Sequence, residues 1–291
     1  MVCLILKIEI INLYNDIAPN DCNFIANHGQ AFLIKSESNQ TLFDTGQIGK
    51  YLLHNMKELA VDPNEIDTVV ISHGHLDHSG GLNELIRART TDEILTVIAH
   101  PESLLPKGGY KTKEKKEVKD ASFPLIPEDI KDKVNLLLVK EPYQITDYLA
   151  TVGEVNHRPF KDGTSDSHVF FEDEKWKPDK MIDDLNLVVQ TKDGLVIVCG
   201  CCHAGLLNTL EQVSNQYPGS KINAILGGTH MTRYSGEEVE FVAKGLIENY
   251  DKPKLYFNHC SGKNVIDQLL EIFGPEIVDD CLIGKKLEFN Y

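Results

Sequence analysis

Within six residues the chain gathers three histidines and an aspartate, in the run Ser72-His73-Gly74-His75-Leu76-Asp77-His78-Ser79-Gly80-Gly81. Imidazole and carboxylate are donors suited to Zn(II), Fe(II) or Mn(II). A lone histidine is more often a satisfied structural residue than a ligand. Four N/O donors packed this tightly exceed what one open catalytic ion takes, so the run points to two ions.

Such ligands need a rigid support. Val69-Val70-Ile71 is a short β-branched run that reads as a buried strand, and Leu82, Leu85 and Ile86 beyond Gly80-Gly81 read as the start of a helix. The donors then sit on the loop at a strand's C-terminal end. Alternation sets His73 and His75 on one side, and the turn into the helix swings Asp77 and His78 to an adjacent position. The same grammar of strand, small-residue loop, histidine and helix recurs later. Leu195-Val196-Ile197-Val198 leads to His203, Ile222-Asn223-Ala224-Ile225-Leu226 leads to His230, and Lys254-Leu255-Tyr256-Phe257 leads to His259. Layered α/β proteins build their sites at such strand ends.

The His73–His78 run resembles the signature of the metallo-β-lactamase superfamily, and Leu42-Phe43-Asp44-Thr45-Gly46 resembles that superfamily's upstream aspartate motif. More narrowly, several stretches resemble the dihydropteroate-synthase-like (dihydropterin-methyl-ribofuranosylaminobenzene-phosphate-synthase-like) branch. They are Asn27-His28-Gly29, Leu42 to Gln47, Ser72 to Leu82, Gly200-Cys201-Cys202-His203-Ala204-Gly205, Gly227-Gly228-Thr229-His230 and His259-Cys260-Ser261-Gly262. The pattern alone gives α/β with mixed strands. The resemblance implies a four-layer α/β/β/α sandwich, one domain over residues 1–291 with a capping insertion at about 102–133. It also implies that Asp44 orients the first histidine or its loop from behind. The metal ligands expected are His73, His75, Asp77, His78, His203 and His259, holding two divalent ions, with zinc expected and manganese or iron as alternatives. One departure matters. Where the superfamily places a metal-bridging aspartate in a Gly-Asp pair, this chain has Gly200-Cys201. His203 is the expected replacement ligand, with Asp184, His230 and the thiolates of Cys201 or Cys202 left as alternatives.

Composition narrows the function. The chain has 291 residues and a net charge of −15, which disfavours a broad nucleic-acid footprint or an anionic membrane surface. No apolar run approaches the roughly 20 residues needed to span a bilayer, and the N-terminus reads as a first, outer strand over residues 2–13. Seven cysteines without a paired framework suit a reducing compartment, so a cytoplasmic protein is expected. Lys111, Lys113, Lys115, Lys116 and Lys119 make a basic stretch on this acidic protein. That stretch is either a solvated loop or a lid offering cations, Lys113 and Lys116 among them, to a small anionic substrate. Residues 156–182 read as irregular. An Ile-Pro-Arg sequence of the branch sits where this chain has Val155-Asn156-His157-Arg158, which keeps the arginine but not the proline and makes Arg158 a further candidate anion contact.

The expected activity is that of a metal-dependent hydrolase. A metal-activated hydroxide, oriented by Asp77, attacks an ester or phosphoester, and His230 protonates the leaving group. The branch suggests a pterin- or phosphate-bearing small molecule. Two alternatives stay open: an iron-dependent oxygen or sulfur redox enzyme, kept by the cysteines, and a non-catalytic metal- or ligand-binding protein, kept by the missing bridging aspartate.

Overall fold

Apolar runs in both halves of the chain become two seven-stranded sheets stacked face to face. The computed structural model describes residues 6–112, 114 and 116–291. In chain order the strands are β1 (Lys7–Tyr14), β2 (Ala31–Lys35), β3 (Gln40–Phe43), β4 (Thr68–Val70), β5 (Leu95–Ala99), β6 (Lys107–Tyr110), β7 (Val118–Asp120), β8 (Val134–Leu138), β9 (Gln144–Thr146), β10 (Leu149–Thr151), β11 (His168–Glu172), β12 (Lys175–Pro178), β13 (Leu187–Thr191), β14 (Gly194–Cys199), β15 (Ile222–Gly227), β16 (Lys254–Phe257), β17 (Val278–Asp280) and β18 (Lys286–Asn290). The helices are α1 (Gly49–Glu58), α2 (Leu76–Ser79), α3 (Leu82–Ala88), α4 (Leu206–Gln216), α5 (Gly236–Tyr250) and α6 (Lys263–Phe273).

The first sheet runs β18-β1-β2-β3-β4-β5-β8 and the second β17-β16-β15-β14-β13-β10-β9. Strands β3, β4, β5 and β8 are mutually parallel, as are β14 to β17. Central parallel strands must be covered on both faces, and that is why β4, β5, β14 and β15 are largely apolar. Ile10, Phe32, Phe43 and Val70 meet Leu187, Val189, Val198 and Leu226 between the sheets. On the outer face of the first sheet, Val69 and Ile71 pack with Leu52 and Met56 of α1 and Leu85 and Ile86 of α3. On the outer face of the second, Ile197 and Ile225 pack with Leu210 of α4, Val242 of α5 and Leu269 of α6. The result is an α/β/β/α sandwich.

Three readings are corrected. The first strand is interior, because Ile8 pairs with Phe289 of β18 and Ile10 with Ile34 of β2. The basic stretch is not one self-contained insertion: its strands β6 and β7 join β11 and β12 in a third sheet of order β12-β11-β6-β7. Residues 156–182 therefore include a hairpin, with Phe171 opposite Trp176. This small sheet is tied to the body by the buried Lys107, whose Nζ lies 2.5 Å from Asp179 Oδ2 and 3.0 Å from Asp183 Oδ1. No helix among the described residues is long and apolar enough to cross a membrane.

Candidate metal centre

The loop after β4 is held from behind by Asp44, at the end of the neighbouring β3. Its Oδ1 accepts the Ser72 backbone N–H at 2.7 Å, and its Oδ2 accepts the Ser72 hydroxyl at 2.9 Å and His78 Nδ1 at 2.7 Å. A carboxylate can only accept, so the hydrogen of His78 sits on Nδ1 and its Nε2 lone pair faces inward. Ser72 Oγ also meets His73 Nδ1 at 2.9 Å. Asp44 thus grips His78 directly and His73 through Ser72. Asp183 fixes the same loop from another side, accepting the Gly74 N–H at 2.8 Å and the Ser103 hydroxyl at 3.1 Å.

Two groups of donors converge. His73, His75 and His203 bring their ligand atoms within 4.8 Å of one another, and so do Asp77, His78 and His259. His73 Nε2 lies 3.1 Å from His75 Nδ1. Two nitrogens bound tetrahedrally to one Zn(II) at about 2.0–2.1 Å would sit about 3.3 Å apart, so the observed spacing suits a shared ion. In the second group, Asp77 Oδ2 lies 3.7 Å from His78 Nε2 and 3.4 Å from His259 Nε2. Cys201 stands between them: its Sγ is 3.1 Å from His78 Nε2, and it also groups with His73. Both ring nitrogens of His203 and Nε2 of His259 are buried without a hydrogen-bond partner. Buried polar atoms rarely remain so; one ring nitrogen of His203 and Nε2 of His259 can each offer a lone pair to a divalent cation.

The electrostatics differ between the two groups. Burial, reinforced by neighbouring imidazoles, holds His73 and His203 well below the ordinary imidazole range, and burial also lowers His75. These three are neutral donors at pH 7. Burial acts in the same direction on His78 and His259, but nearby anions outweigh it. Asp44 and Asp77 lift His78, while Cys260, Asp16 and Asp77 lift His259. Burial pushes Asp77 up, yet His78, His259 and His28 hold it well below the usual carboxylate range. The second group is therefore a carboxylate with cation-seeking partners, the charge pattern that a metal dication would replace.

Asp16 and His168, around the two groups, escaped sequence reasoning. Asp16 Oδ1 takes His259 Nδ1 at 3.0 Å and, with His28 and His259, forms a further cluster at the rim. Hydrogen bonds to Asp16 and Asp77 raise His28 to about 9. His168, from β11 of the small sheet, brings its ring centroid 5.1 Å from that of His203 and 5.5 Å from that of His230. The ring of His230 lies 4.2 Å from that of His203. Nδ1 of both His168 and His230 is buried without a partner. The signal for His168 lay only in its residue type, since a polar stretch gave no strand to carry it. Cys260 lies beside Cys201, with its Sγ 3.8 Å from Cys201 O; burial raises its thiol, but Cys201, His259 and His230 bring it well below the usual thiol range.

Other expectations meet a different structure. Asp184 is not in either ligand group; its Oδ2 accepts the Ala204 N–H at 2.9 Å and burial pushes it up to about 6, so it supports the His203 loop from below. Cys202 turns away, toward Thr209. Arg158 does not face an anion subsite. Its guanidinium donates to the carbonyls of Val155, Lys180 and Met181, bracing two distant backbone segments. Lys113 lies outside the described residues, and Lys116 is exposed.

The loops are strained where the donors sit. Asp44, Cys202, His230 and His259 all have φ between 46° and 64°, a left-handed conformation that non-glycine residues adopt only when their surroundings enforce it. Gly200 lets its loop lie directly against Ser72, since a Cβ there would fall 2.3 Å from Ser72 Cβ.

Comparisons with known proteins agree with this architecture. Residues 26–201 match the family model described as the metallo-beta-lactamase superfamily. Over 292 residues the chain is 28% identical to the 7,8-dihydropterin-6-methyl-4-(beta-D-ribofuranosyl)-aminobenzene-5′-phosphate synthase of Methanocaldococcus jannaschii, covering 97% of each. Among solved structures it resembles Tm1679, a metal-dependent hydrolase of the beta-lactamase superfamily, with a TM-score of 0.79 and 25% identity over 96% of this chain and 98% of that one. It also shares its fold with YhfI from Bacillus subtilis, with a TM-score of 0.57 and 12% identity over 97% and 99% of the two chains.

Proposed function

The chain belongs to the metallo-β-lactamase superfamily, and from that premise we propose that it is a metal-dependent hydrolase acting on an ester or phosphoester of a small anionic molecule. The observation that most supports this is the convergence of two donor groups, His73/His75/His203 and Asp77/His78/His259, on either side of Cys201. These residues would hold two divalent ions, with zinc suited to the nitrogen and sulfur donors.

Bound there, the ions supply Lewis acidity and bring the pKa of a coordinated water from 15.7 to about 7. The chain's own residues do the rest. Asp77 keeps its carboxylate ionised among His78, His259 and His28, so it can accept a hydrogen bond and orient the attacking group. Asp44 and Asp16 fix the rings of His78 and His259 through their Nδ1 atoms. His230 is locked by its backbone N–H to Cys260 Sγ at 3.3 Å and presents an unpartnered Nδ1 beside His203. It is the group we assign to proton transfer at the leaving group. His168, on the small sheet, closes the same space from above and helps exclude water.

The M. jannaschii relative carries a pterin and a 5′-phosphate in its name, which supports a pterin- or phosphate-bearing substrate here. That relative is a synthase, and its name favours a second reading, condensation at the same centre with a small-molecule nucleophile replacing water. The negative charge of −15 supports a small molecule over nucleic acid. All six cysteines among the described residues are free, which supports a reducing, cytoplasmic setting.

Elemental analysis per chain, followed by a screen of phosphodiesters, esters and lactones with product identification, tests the proposal. Two ions per chain and hydrolysis products are expected. Turnover that requires a second organic substrate would establish condensation instead. Full metal loading with every ligand recovered unchanged would leave a binding protein.

A further inference from the structure

Outside the convergent donors lies a cavity of about 590 Å³ lined by Tyr110, Lys111, Thr112, Ser165, Asp166, Ser167 and Arg233. None of the candidate metal ligands lines it. It adjoins them nonetheless: Ser167 precedes His168, and Arg233 follows His230 by three residues. Its walls come from both parts of the fold, the small sheet on one side and the loop after β15 on the other.

The lining is built for an anion. The Ser165–His168 turn is rigid, with the His168 N–H donating to Ser165 O at 3.0 Å, the Tyr110 N–H donating to Ser167 O at 3.0 Å, and the two serine hydroxyls 2.6 Å apart. Thr112 adds a third hydroxyl. Lys111 is shared with Glu117. Arg233 is different, for among the described residues its exposed guanidinium makes no hydrogen bond or ion pair, and its charge is one of those that lower His168. A planar fork of donors left uncommitted beside three hydroxyls matches a phosphate's oxygens. The volume falls within the range of small-ligand sites, which leaves room for a sugar attached to that phosphate. Asp166 is the carboxylate in the lining and opposes the two cations.

We propose that this cavity is a phosphate subsite, with Arg233 as its principal contact and Lys111, Thr112, Ser165 and Ser167 around it, holding a phosphomonoester that is not the group undergoing reaction. The subsite presupposes the turnover of a phosphate-bearing molecule proposed above, and it gives that molecule a polarity: phosphate outward, reacting bond inward past His168 and His230.

Calorimetric titration of the full-length protein with ribose 5-phosphate, and with ribose as control, tests it at low ionic strength. Metal-loaded and chelator-treated protein should both bind the phosphate and neither should bind ribose. Arg233→Met should weaken binding by about tenfold or more, as expected for loss of a charge-assisted hydrogen bond, and Asp166→Asn should tighten it. Both variants should retain the wild-type metal content. Binding that vanishes on chelation and is indifferent to Arg233→Met would place the phosphate on the metals and overturn the subsite while sparing the metal-dependent reading. Arg233-dependent binding by a protein that takes up no metal would uphold the subsite and overturn that reading. Absence of binding to wild type would also overturn the subsite.

Discussion

Asp44 Oδ2 and His78 Nδ1 stand 2.7 Å apart with both side chains fully buried. The pair couples the end of β3 to the loop after β4, so the direction of a candidate metal ligand is set by a residue that never touches the ion. Replacing Asp44 with Asn keeps the size of the side chain, and Asn tolerates the left-handed backbone at this position, where φ is 64°. Only the carboxylate is lost. Asp44→Asn should lower zinc affinity by about 10- to 100-fold. Competition against a fluorescent chelator measures this, and unchanged affinity would contradict the role given to Asp44.

Cys201 replaces an aspartate with a thiol and should leave a spectroscopic mark. The cobalt(II)-substituted protein should show a near-ultraviolet thiolate-to-cobalt charge-transfer band. Cys201→Ser should abolish it, whereas Cys260→Ser should preserve it, because Cys201 groups with His73 and His78 while Cys260 groups only with Cys201 and His230. A band that survives in Cys201→Ser would remove the sulfur from the centre.

His203 and His230 sit side by side yet are assigned different work. His203→Ala, like His75→Ala, should lose at least one metal equivalent together with most activity. His230→Ala should keep both ions and lose turnover by roughly 10²–10⁴-fold, the range for a general acid. Metal analysis beside steady-state rates separates the two. Metal loss in His230→Ala would recast it as a ligand.

Lys107 carries a pH signature that the metal-free protein should display. Burial pushes Asp183 up, but the charge of Lys107 and the Gly74 N–H outweigh it and hold Asp183 below the usual range. A depressed carboxyl adds stability that is present above the unfolded value of about 4 and lost as pH falls through the folded one. Lys107→Met leaves two buried carboxylates unpaired and should destabilise by about 3–5 kcal/mol at pH 7. In the variant the charge of Lys107 no longer opposes burial, so the Asp183 carboxyl moves up, and the deficit relative to wild type should narrow between pH 7 and pH 4. Urea titrations at several pH values would refute this if the deficit stayed constant.

The residues most legible in the sequence are those whose chemistry and support are local. His73, His203, His230 and His259 each follow an apolar strand by a few residues, so composition and periodicity located their loops, and helices such as Leu206–Gln216 could be read from spacing alone. What stayed hidden depends on distant pairing. His168 gains its place because β11 pairs with β6, matching His168 with Gly109 across a long stretch of chain. Arg158 looked available to an anion until residues 155, 180 and 181 came together around it. Lys107 could not be told from the solvated lysines near it, since only the fold brings Asp179 and Asp183 to bury it. β18 alternates like a strand, but only its register against β1 explains why the first strand is interior.

The donors meet across great lengths of chain; Cys201 and His78, 3.1 Å apart, are separated by 123 positions. An ion held by both halves would therefore act as a removable cross-link of the folded chain. Because the site exists only in the folded chain, binding of the ion would be linked to folding and would stabilise it by mass action, and the cysteines among the described residues, all free, provide no covalent staple. Metal supply would then govern how long the folded protein survives proteolysis, including at peptide bonds far from any reacting molecule.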